Sequence, residues 1–460
     1  MKEDGAILLV ACYELGHQPL TVAWPAAFLE RRGYRPAVLD VSVEPFDSER
    51  VRRARLVAVS VPMHTALRLG VAVAKRVRTV NPTCHIAFYG LYATLNADHL
   101  LANVADSVLG GEADAALVEL ARRLELSPAS VVPKPGTPTR PLPILEKLEF
   151  PVPSRAQLPS LKHYAHVEKD GRLELAGYVE ASRGCKHLCR HCPIPPVYGG
   201  RFFVVPRDVV LADIRQQVAA GASHITFGDP DFLNGPGHAV AVARALHTEF
   251  PSVTFDFTAK VEHLLHHRAR LRELADLGCA FIVTATESLS DTVLAHLAKG
   301  HTRADVLAAL HAVRAAGIAT RPTWVPFTPW TTLDDYRELL DFVAAHALID
   351  AIDPVQYSIR LLVPPGSLLL GSEAMRPFLG PLVEGAFYYR WTHPDPRMER
   401  LAADVAALVA SAADAREDAT ATFNRIRRLA DDAAGAPPCP DVVPPPERTR
   451  PPRLTEPWFC

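Results

Sequence analysis

Two long stretches in which short apolar runs alternate with amphipathic helical patterns, separated by a run crowded with proline, constrain this chain more than any other feature. In the first stretch, residues 6–13, 35–41, 56–61, 85–89 and 107–109 read as strands, and 20–32, 66–78, 97–104 and 113–124 as helices. That order is the one expected of a doubly wound sheet, an α/β domain of flavodoxin-like or Rossmann-like type over residues 1–125. Pro133, Pro135, Pro138, Pro141, Pro143, Pro151 and Pro153 follow. Proline lacks the backbone donor that helices and inner strands need, so residues 126–174 are expected to form an extended linker. The second stretch places strands at 176–181, 224–227, 254–258, 281–285, 320–325 and 351–359, and helices at 207–219, 239–249, 302–316 and 333–345. Six such pairs over 175–368 suggest a partial (β/α)6 barrel, which alternation alone does not separate from an open sheet. Residues 369–435 read as a mostly helical, alanine-rich region, and 436–460 as a mobile proline and arginine tail.

A length of 460 residues accommodates two or three domains. Lys plus Arg number 49 against 51 for Asp plus Glu, so no global field draws the chain to nucleic acid or an anionic membrane. Arg50, Arg52, Arg53 and Arg55 beside Glu49 have the spacing of a solvated helix face. The apolar run at 6–12 is too short for a signal peptide, and no run of eighteen apolar residues occurs, so a soluble, cytoplasmic protein is expected. Of eight cysteines, three fall within eight positions, a pattern that fits reduced thiols and a metal site better than a disulfide framework. Cys12, Cys84 and Cys279 read as small buried hydrophobes; like them, Cys439 has no partner at ligand spacing.

The chemistry is carried by Cys185-Lys-His-Leu-Cys189-Arg-His-Cys192, three thiolates on one short loop directly after an expected strand. Three soft anionic sulfurs can bind three irons of a cubane and leave the fourth iron open to a further ligand. The competing reading is zinc, with His187 or His191 as fourth ligand, although structural zinc sites usually add a distant second pair of ligands.

The C-x3-C-x2-C spacing opening a βα series resembles the signature of the radical S-adenosylmethionine superfamily. That resemblance implies a TIM-type partial barrel, a 4Fe-4S cluster on Cys185, Cys189 and Cys192, and S-adenosylmethionine as cofactor. It further implies contacts to that cofactor from Gly228 and Asp229 after the second barrel strand, from Glu287 and Ser288 after the fourth, and from Arg360 at the end of the last. His191 occupies the position that packs against adenine. Asp229 fits a turn or helix cap as well, and Arg360 fits an interdomain salt bridge as well.

The tandem order of the two domains is similar to the cobalamin-binding class of these enzymes, in which residues 60–65, 89–94 and 110–112 would line the cofactor crevice. Two departures bear on cobalamin: there is no D-x-H-x-x-G after the first strand, and the usual glycine pair near position 90 has become Tyr89-Gly90-Leu91. The domain is therefore either a cobalamin site or a scaffold that keeps the fold.

Ser182-Arg-Gly-Cys185, Pro195-Pro-Val-Tyr198, Thr226-Phe-Gly-Asp-Pro-Asp231, Lys299-Gly-His-Thr302, Val325-Pro-Phe-Thr-Pro-Trp330 and Tyr389-Arg-Trp-Thr-His-Pro-Asp-Pro396 resemble one group within that class. Its members carry a Cys-Sec-Ala-Glu-Pro or Cys-Cys-Ala-Glu-Pro tail, and Leu454-Thr-Glu-Pro-Trp-Phe-Cys460 is similar to the lead-in to it. The resemblance implies a redox-active tail with Cys460 as a catalytic thiol, and a selenocysteine codon directly after it; the alternative is a terminal cysteine without a role. The function expected is reductive cleavage of S-adenosylmethionine to a 5'-deoxyadenosyl radical acting on a small molecule or peptide, with a flavodoxin or ferredoxin as electron donor. Cobalamin-dependent methyl transfer is the alternative, and a non-catalytic iron-sulfur electron carrier or sensor the rival from another class.

Overall fold

The computed structural model of the protein describes residues 1–126, 143, 145–445, 447–448 and 450–456. Its first domain alternates β1 (Ile7–Ala11), α1 (Leu20–Glu30), β2 (Ala37–Asp40), α2 (Ser48–Arg53), β3 (Leu56–Ser60), α3 (His64–Val80), β4 (His85–Tyr89), α4 (Leu91–Leu95), α5 (Ala97–Asn103), β5 (Ser107–Leu109) and α6 (Ala113–Leu126). The five strands form one parallel sheet in the order β2-β1-β3-β4-β5. β1 and β3 are buried along their whole length, as parallel strands covered on both faces must be.

Helix α1 joins the domains, and its sequence, Leu20-Thr-Val-Ala-Trp-Pro-Ala-Ala-Phe-Leu29, is apolar nearly all round because both its sides are covered. Val22, Ala26 and Leu29 pack on the first sheet. Leu20, Trp24 and Phe28 belong instead to the core of the second domain. Pro25 sits inside this helix and has no N–H to donate to the carbonyl of Thr21. The buried Tyr89 hydroxyl donates to that carbonyl instead, at 2.8 Å. Tyr89, at the end of β4, thus supplies the donor that proline removes.

The second domain begins with an antiparallel hairpin, β6 (His166–Lys169) and β7 (Arg172–Val179). It continues through β8 (Ser182–Gly184), α7 (Pro195–Tyr198), β9 (Phe202–Val204), α8 (Arg207–Ala219), β10 (His224–Phe227), α9 (Pro236–Glu249), β11 (Thr254–Lys260), α10 (Val261–His266) and α11 (Leu271–Asp276). β12 (Cys279–Glu287), α12 (Asp291–Leu297), α13 (Arg303–Ala315), β13 (Ala319–Trp324) and α14 (Leu333–Ala345) complete the series. Strands β7, β10, β11, β12 and β13 are parallel neighbours in a curled half-barrel sheet, the expected architecture.

Three expectations need correction. Residues 351–359 are not a sixth strand: they lie in and around two short 3-10 turns, Ile349–Ala351 and Pro354–Tyr357, and among the described residues the isolated bridge near the edge of β13 joins Phe327 to Arg360. Pro354 cannot donate to a ladder, and the Gln356 side chain accepts the N–H of Trp324 at 2.9 Å in place of a strand carbonyl. The expected linker is fixed where it is described. Phe150 packs edge-on against Trp24 and Phe28, Arg155 forks onto Asp213 at 2.6 and 2.8 Å, and Tyr164 donates to Asp40 at 2.9 Å. Residues 127–142 and 144 of that linker lie outside the described residues. The region after 368 is mostly helical, as expected, with the antiparallel pair β14 (Leu379–Val383) and β15 (Tyr388–Trp391) ahead of α15 (Pro396–Asp414) and α16 (Ala419–Ala434).

The tail is the third. As far as Glu456 it lies on the protein rather than free of it. Arg448 pairs with Asp350 at 2.6 Å and with Asp418 at 2.7 Å. β16 (Arg453–Leu454) then adds to the barrel sheet beside β6, and Leu454 is buried against Val167, Ala176 and Phe281. A cavity of about 1080 Å³ remains between this tail, the start of the hairpin and helices α15 and α16. No described helix is long and apolar enough to cross a membrane.

Candidate metal and cofactor site

The three clustered cysteines occupy the loop between β8 and α7, and that loop is closed at its base by pairing of β8 with β9. Gly184 enters it at φ 76°, where a Cβ would lie 2.5 Å from the carbonyl of Arg201 and 2.6 Å from Tyr198, so no other residue fits directly before Cys185. Cys185 and Cys189 are buried and Cys192 is half-buried. The Cys185 thiol points at the Asn234 side-chain oxygen, 3.8 Å away. Burial pushes the Cys192 thiol up to about 12, with Cys189 and Cys185 adding to the effect and Lys299 opposing it. Loading a metal therefore has to displace protons from these sulfurs.

The other residues named from the sequence fall around this loop in different states. Asp229 is buried and accepts from the backbone of Ala181 at 2.9 Å and from the Ser182 hydroxyl at 2.5 Å, tying down the strand that leads into Cys185. Burial pushes its carboxyl up to about 7. Gly228 is demanded by Tyr178, whose ring would lie 2.2 Å from any Cβ there. Glu287 takes up a left-handed backbone at φ 66° and faces Lys299 at 3.0 Å and His191 at 3.5 Å. Burial alone would raise its carboxyl, but Lys299 and His191 hold it well below the usual carboxylate range. His191 keeps a buried Nδ1 with no hydrogen-bond partner. Ser288 is buried and turns its hydroxyl onto the backbone of Ser290. Arg360 is paired within the chain, donating to Glu399 at 2.8 Å and to the Trp391 carbonyl while lying over the Trp391 ring. Cys460 lies outside the described residues.

Two participants were not singled out by sequence reasoning. Lys299 is almost fully buried, and Cys189, Cys192 and Glu287 all favour its charged form. Asn234 accepts from the backbone of Lys186 as well as from Cys185. Lys299 stood in a quoted motif; a buried lysine close to two of the thiols has no local sequence signature.

Arg183 links the loop to the first domain. Its guanidinium meets Glu112 at 2.9 Å, Asp114 at 2.6 Å and Glu180 at 3.1 Å, and lies over the rings of Trp24 and Phe150. Near this junction Glu14 is buried and its carboxyl is pushed up to about 7 by burial. A raised folded-state value means that the stability tied to this group is complete below its unfolded value of about 4.3 and is lost as pH rises through about 7. Glu14→Gln should therefore melt higher than the parent at pH 8, by about 1–2 kcal/mol after allowing for a weakened hydrogen bond, and the gain should close toward pH 4. Thermal melts of both proteins across that range check the sign; a gain that grows on acidification would refute it.

The strand ends of the first domain are largely occupied. A Cβ on Gly110 would lie 3.1 Å from Thr94 and 3.5 Å from Pro143, and Glu112 accepts from both Arg183 and Tyr198. His17 is stacked on Tyr178 and bonded to Glu456 at 2.8 Å, so it is not placed as an axial ligand. No step through cobalamin is derived from these residues.

Residues 179–343 match the radical SAM superfamily and residues 6–121 match the B12 binding domain. A tRNA-2-methylthio-N(6)-dimethylallyladenosine synthase of Desulfosudis oleivorans is 27% identical over 199 residues, covering 41% of this chain and 42% of that protein. A ribosomal protein uS12 methylthiotransferase RimO of Chlorobium chlorochromatii is 24% identical over 175 residues, 36% of this chain and 40% of that protein. The chain thus spans about two fifths of the length of the curated relatives it matches. Among solved structures, the cobalamin-dependent S-adenosylmethionine radical enzyme OxsB superposes with a TM-score of 0.69 at 15% identity, over 88% of this chain and 67% of that one. The radical S-adenosylmethionine methyltransferase TsrM of Kitasatospora setae superposes with a TM-score of 0.58 at 17% identity, over 74% and 71%. The chain thus carries a radical SAM domain at residues 179–343 and, ahead of it, a B12 binding domain at residues 6–121.

Proposed function

We propose that this protein reductively cleaves S-adenosylmethionine and directs the resulting radical at a small-molecule or peptide substrate. The observation that carries the reading is the loop of Cys185, Cys189 and Cys192, three thiols within eight residues, two of them buried, clamped at its base by the pairing of β8 with β9. Cys185, Cys189 and Cys192 would hold a 4Fe-4S cluster, which would supply the electron for cleavage of the cofactor's sulfonium bond. The chain's own part is positional and electrostatic. Lys299 places a buried positive charge beside the thiolates, Asp229 and Asn234 fix the two ends of the approach to Cys185, and His191 offers a free ring nitrogen at the mouth. A flavodoxin or ferredoxin in the cytoplasm is the class of donor such chemistry takes its electron from. An electron carrier has no use for an open iron or for a barrel around it.

Methyl transfer through cobalamin is the second reading, favoured by the B12 binding domain match at residues 6–121. One experiment separates the two. Protein reconstituted anaerobically with iron and sulfide, incubated with hydroxocobalamin and desalted, is given S-adenosylmethionine and a reductant. Deoxyadenosine is expected, and its absence from iron-replete protein would overturn the proposal. Pigment that stays bound supports methyl transfer, and its cobalt should then show no nitrogen coupling from His17, which Glu456 holds. Pigment lost on desalting leaves the domain a scaffold.

A further inference from the structure

The cysteine loop turns part of itself outward. Cys185 and Cys189 are buried, while Lys186, Leu188 and Arg190, between and after them, are exposed, Leu188 at 56%. A Cβ on Gly200 would lie 3.5 Å from the end of the Leu188 side chain and 3.5 Å from the Lys186 carbonyl, and Gly200 leads into exposed Arg201. On the other side of the loop the Arg190 carbonyl accepts from the Ser367 hydroxyl at 3.4 Å, which brings exposed Leu368 to the same rim. Burial, with His266, His263, Lys186 and Arg270, holds His267 below the usual imidazole range, so Lys186 and Arg270 stand close enough to act on one ring.

The charges on this rim have one sign. Lys186, Arg190, Arg201 and Arg270 are exposed, and among the described residues none of the four is paired with a carboxylate. Lys186 donates to the carbonyl of Asn234 at 3.5 Å and Arg190 to that of His296 at 3.5 Å, contacts that steady the side chains and leave their charge unmatched. Glu262, on the neighbouring α10, is already met by Lys260 at 3.2 Å. Basic residues number 49 against 51 acidic in the whole chain, so four unmatched cations around one loop are a local feature and not the bulk balance.

An apolar centre inside a charged rim is the composition of a surface that meets another protein. The exposed large hydrophobics include no aromatic side chain among the described residues, so the patch lacks the stacking platform of a single-stranded nucleic acid site. The position of Leu188, between Cys185 and Cys189, decides the kind of protein, because electron transfer weakens steeply with distance and this is the face with the shortest path to the sulfurs.

We propose that Leu188 and Leu368, ringed by Lys186, Arg190, Arg201 and Arg270, form the docking surface for an acidic one-electron carrier protein. The assignment rests on the reductive reading of the cysteine loop. In the docked pair one electron passes from the reduced carrier, which is oxidised by one electron, to the group held by the three cysteines, which is reduced by one; no bond forms or breaks in that step. Opposite charges speed the encounter and set its orientation.

The test uses the full chain, reconstituted anaerobically with iron and sulfide, and a purified flavodoxin as the probe. Calorimetry should find association that weakens steeply as salt is raised. R201E/R270E should weaken it by at least about tenfold, and R201K/R270K, which keeps the charges, should match the parent. L368E, which places a charge in the apolar centre, should weaken it as well. Deoxyadenosine release driven by reduced flavodoxin should fall in R201E/R270E, while release driven by dithionite should equal the parent's. Flavodoxin affinity that R201E/R270E and L368E leave unchanged, or equal losses of release under both reductants, would overturn the surface. Transfer RNA that binds more tightly than flavodoxin, and loses its affinity in R201E/R270E, would give the patch to nucleic acid and overturn the proposal too. Parent protein that releases no deoxyadenosine with dithionite would refute the radical reading instead, and the calorimetry would then judge the surface alone.

Discussion

Cys189→Ala protein is expected to lose both its brown chromophore and all release of deoxyadenosine. Three thiolates are the minimum that holds a cubane while leaving one iron open, and the described residues offer no substitute beside Cys189. His187 and His191, each two positions away, turn Nε2 to His263 and to Glu287. Cys12, Cys84 and Cys279 are buried elsewhere in the fold, Cys12 and Cys84 in the first domain's core. Iron content, the visible spectrum and chromatography of the nucleoside products give three independent readings of the same loss. Full cleavage activity in this variant would sink the cluster assignment. Zinc in place of iron in anaerobically prepared parent protein would restore the single-ion reading at these cysteines.

The second large effect is expected from Arg183→Met. The guanidinium is 13% exposed, meets three carboxylates and lies over two aromatic rings. Methionine fills much of the volume but leaves Glu112, Asp114 and Glu180 facing one another without a cation. Removing one partner from a buried ion cluster costs about 3–5 kcal/mol, because the remaining charges stay desolvated. Since Glu112 and Asp114 come from the first domain and Arg183 from the second, the loss should appear as separation of one unfolding transition into two. Arg183→Lys should recover part of the stability, keeping the charge without the planar fork. Calorimetry on the three proteins decides; an Arg183→Met melt that overlays the parent would show that the cluster contributes nothing to the domain contact.

The helices and parallel strands were legible because they are local. β4, β10 and α14 begin and end where periodicity places them, at His85–Tyr89, His224–Phe227 and Leu333–Ala345. The cysteine loop was legible for the same reason, its three ligands falling within eight residues. Residues 351–359 misled because their apolar alternation outweighed Pro354, whose missing N–H was the readable objection. The tail misled for a different reason: what holds it is a set of carboxylates, Asp350, Asp418 and Glu168, scattered through the chain, and ion pairs across such separations leave no periodic trace. Tyr89 looked like a defect in a cofactor crevice, and only the fold shows that it answers Pro25. His187 and His263, 76 positions apart, could not be joined from sequence at all.

The pairing of β16 with β6 sets a schedule for biosynthesis. Arg453 meets Glu168 across 285 positions, so every barrel strand has emerged from the ribosome before the segment that covers the outer edge of β6 exists. Until then the nascent sheet presents an unpaired row of backbone donors and acceptors, the template on which chains join edge to edge. The cell has to shield that edge for the whole interval, and slow translation or scarce chaperones should convert the protein to aggregates before any fault in its metal chemistry can matter.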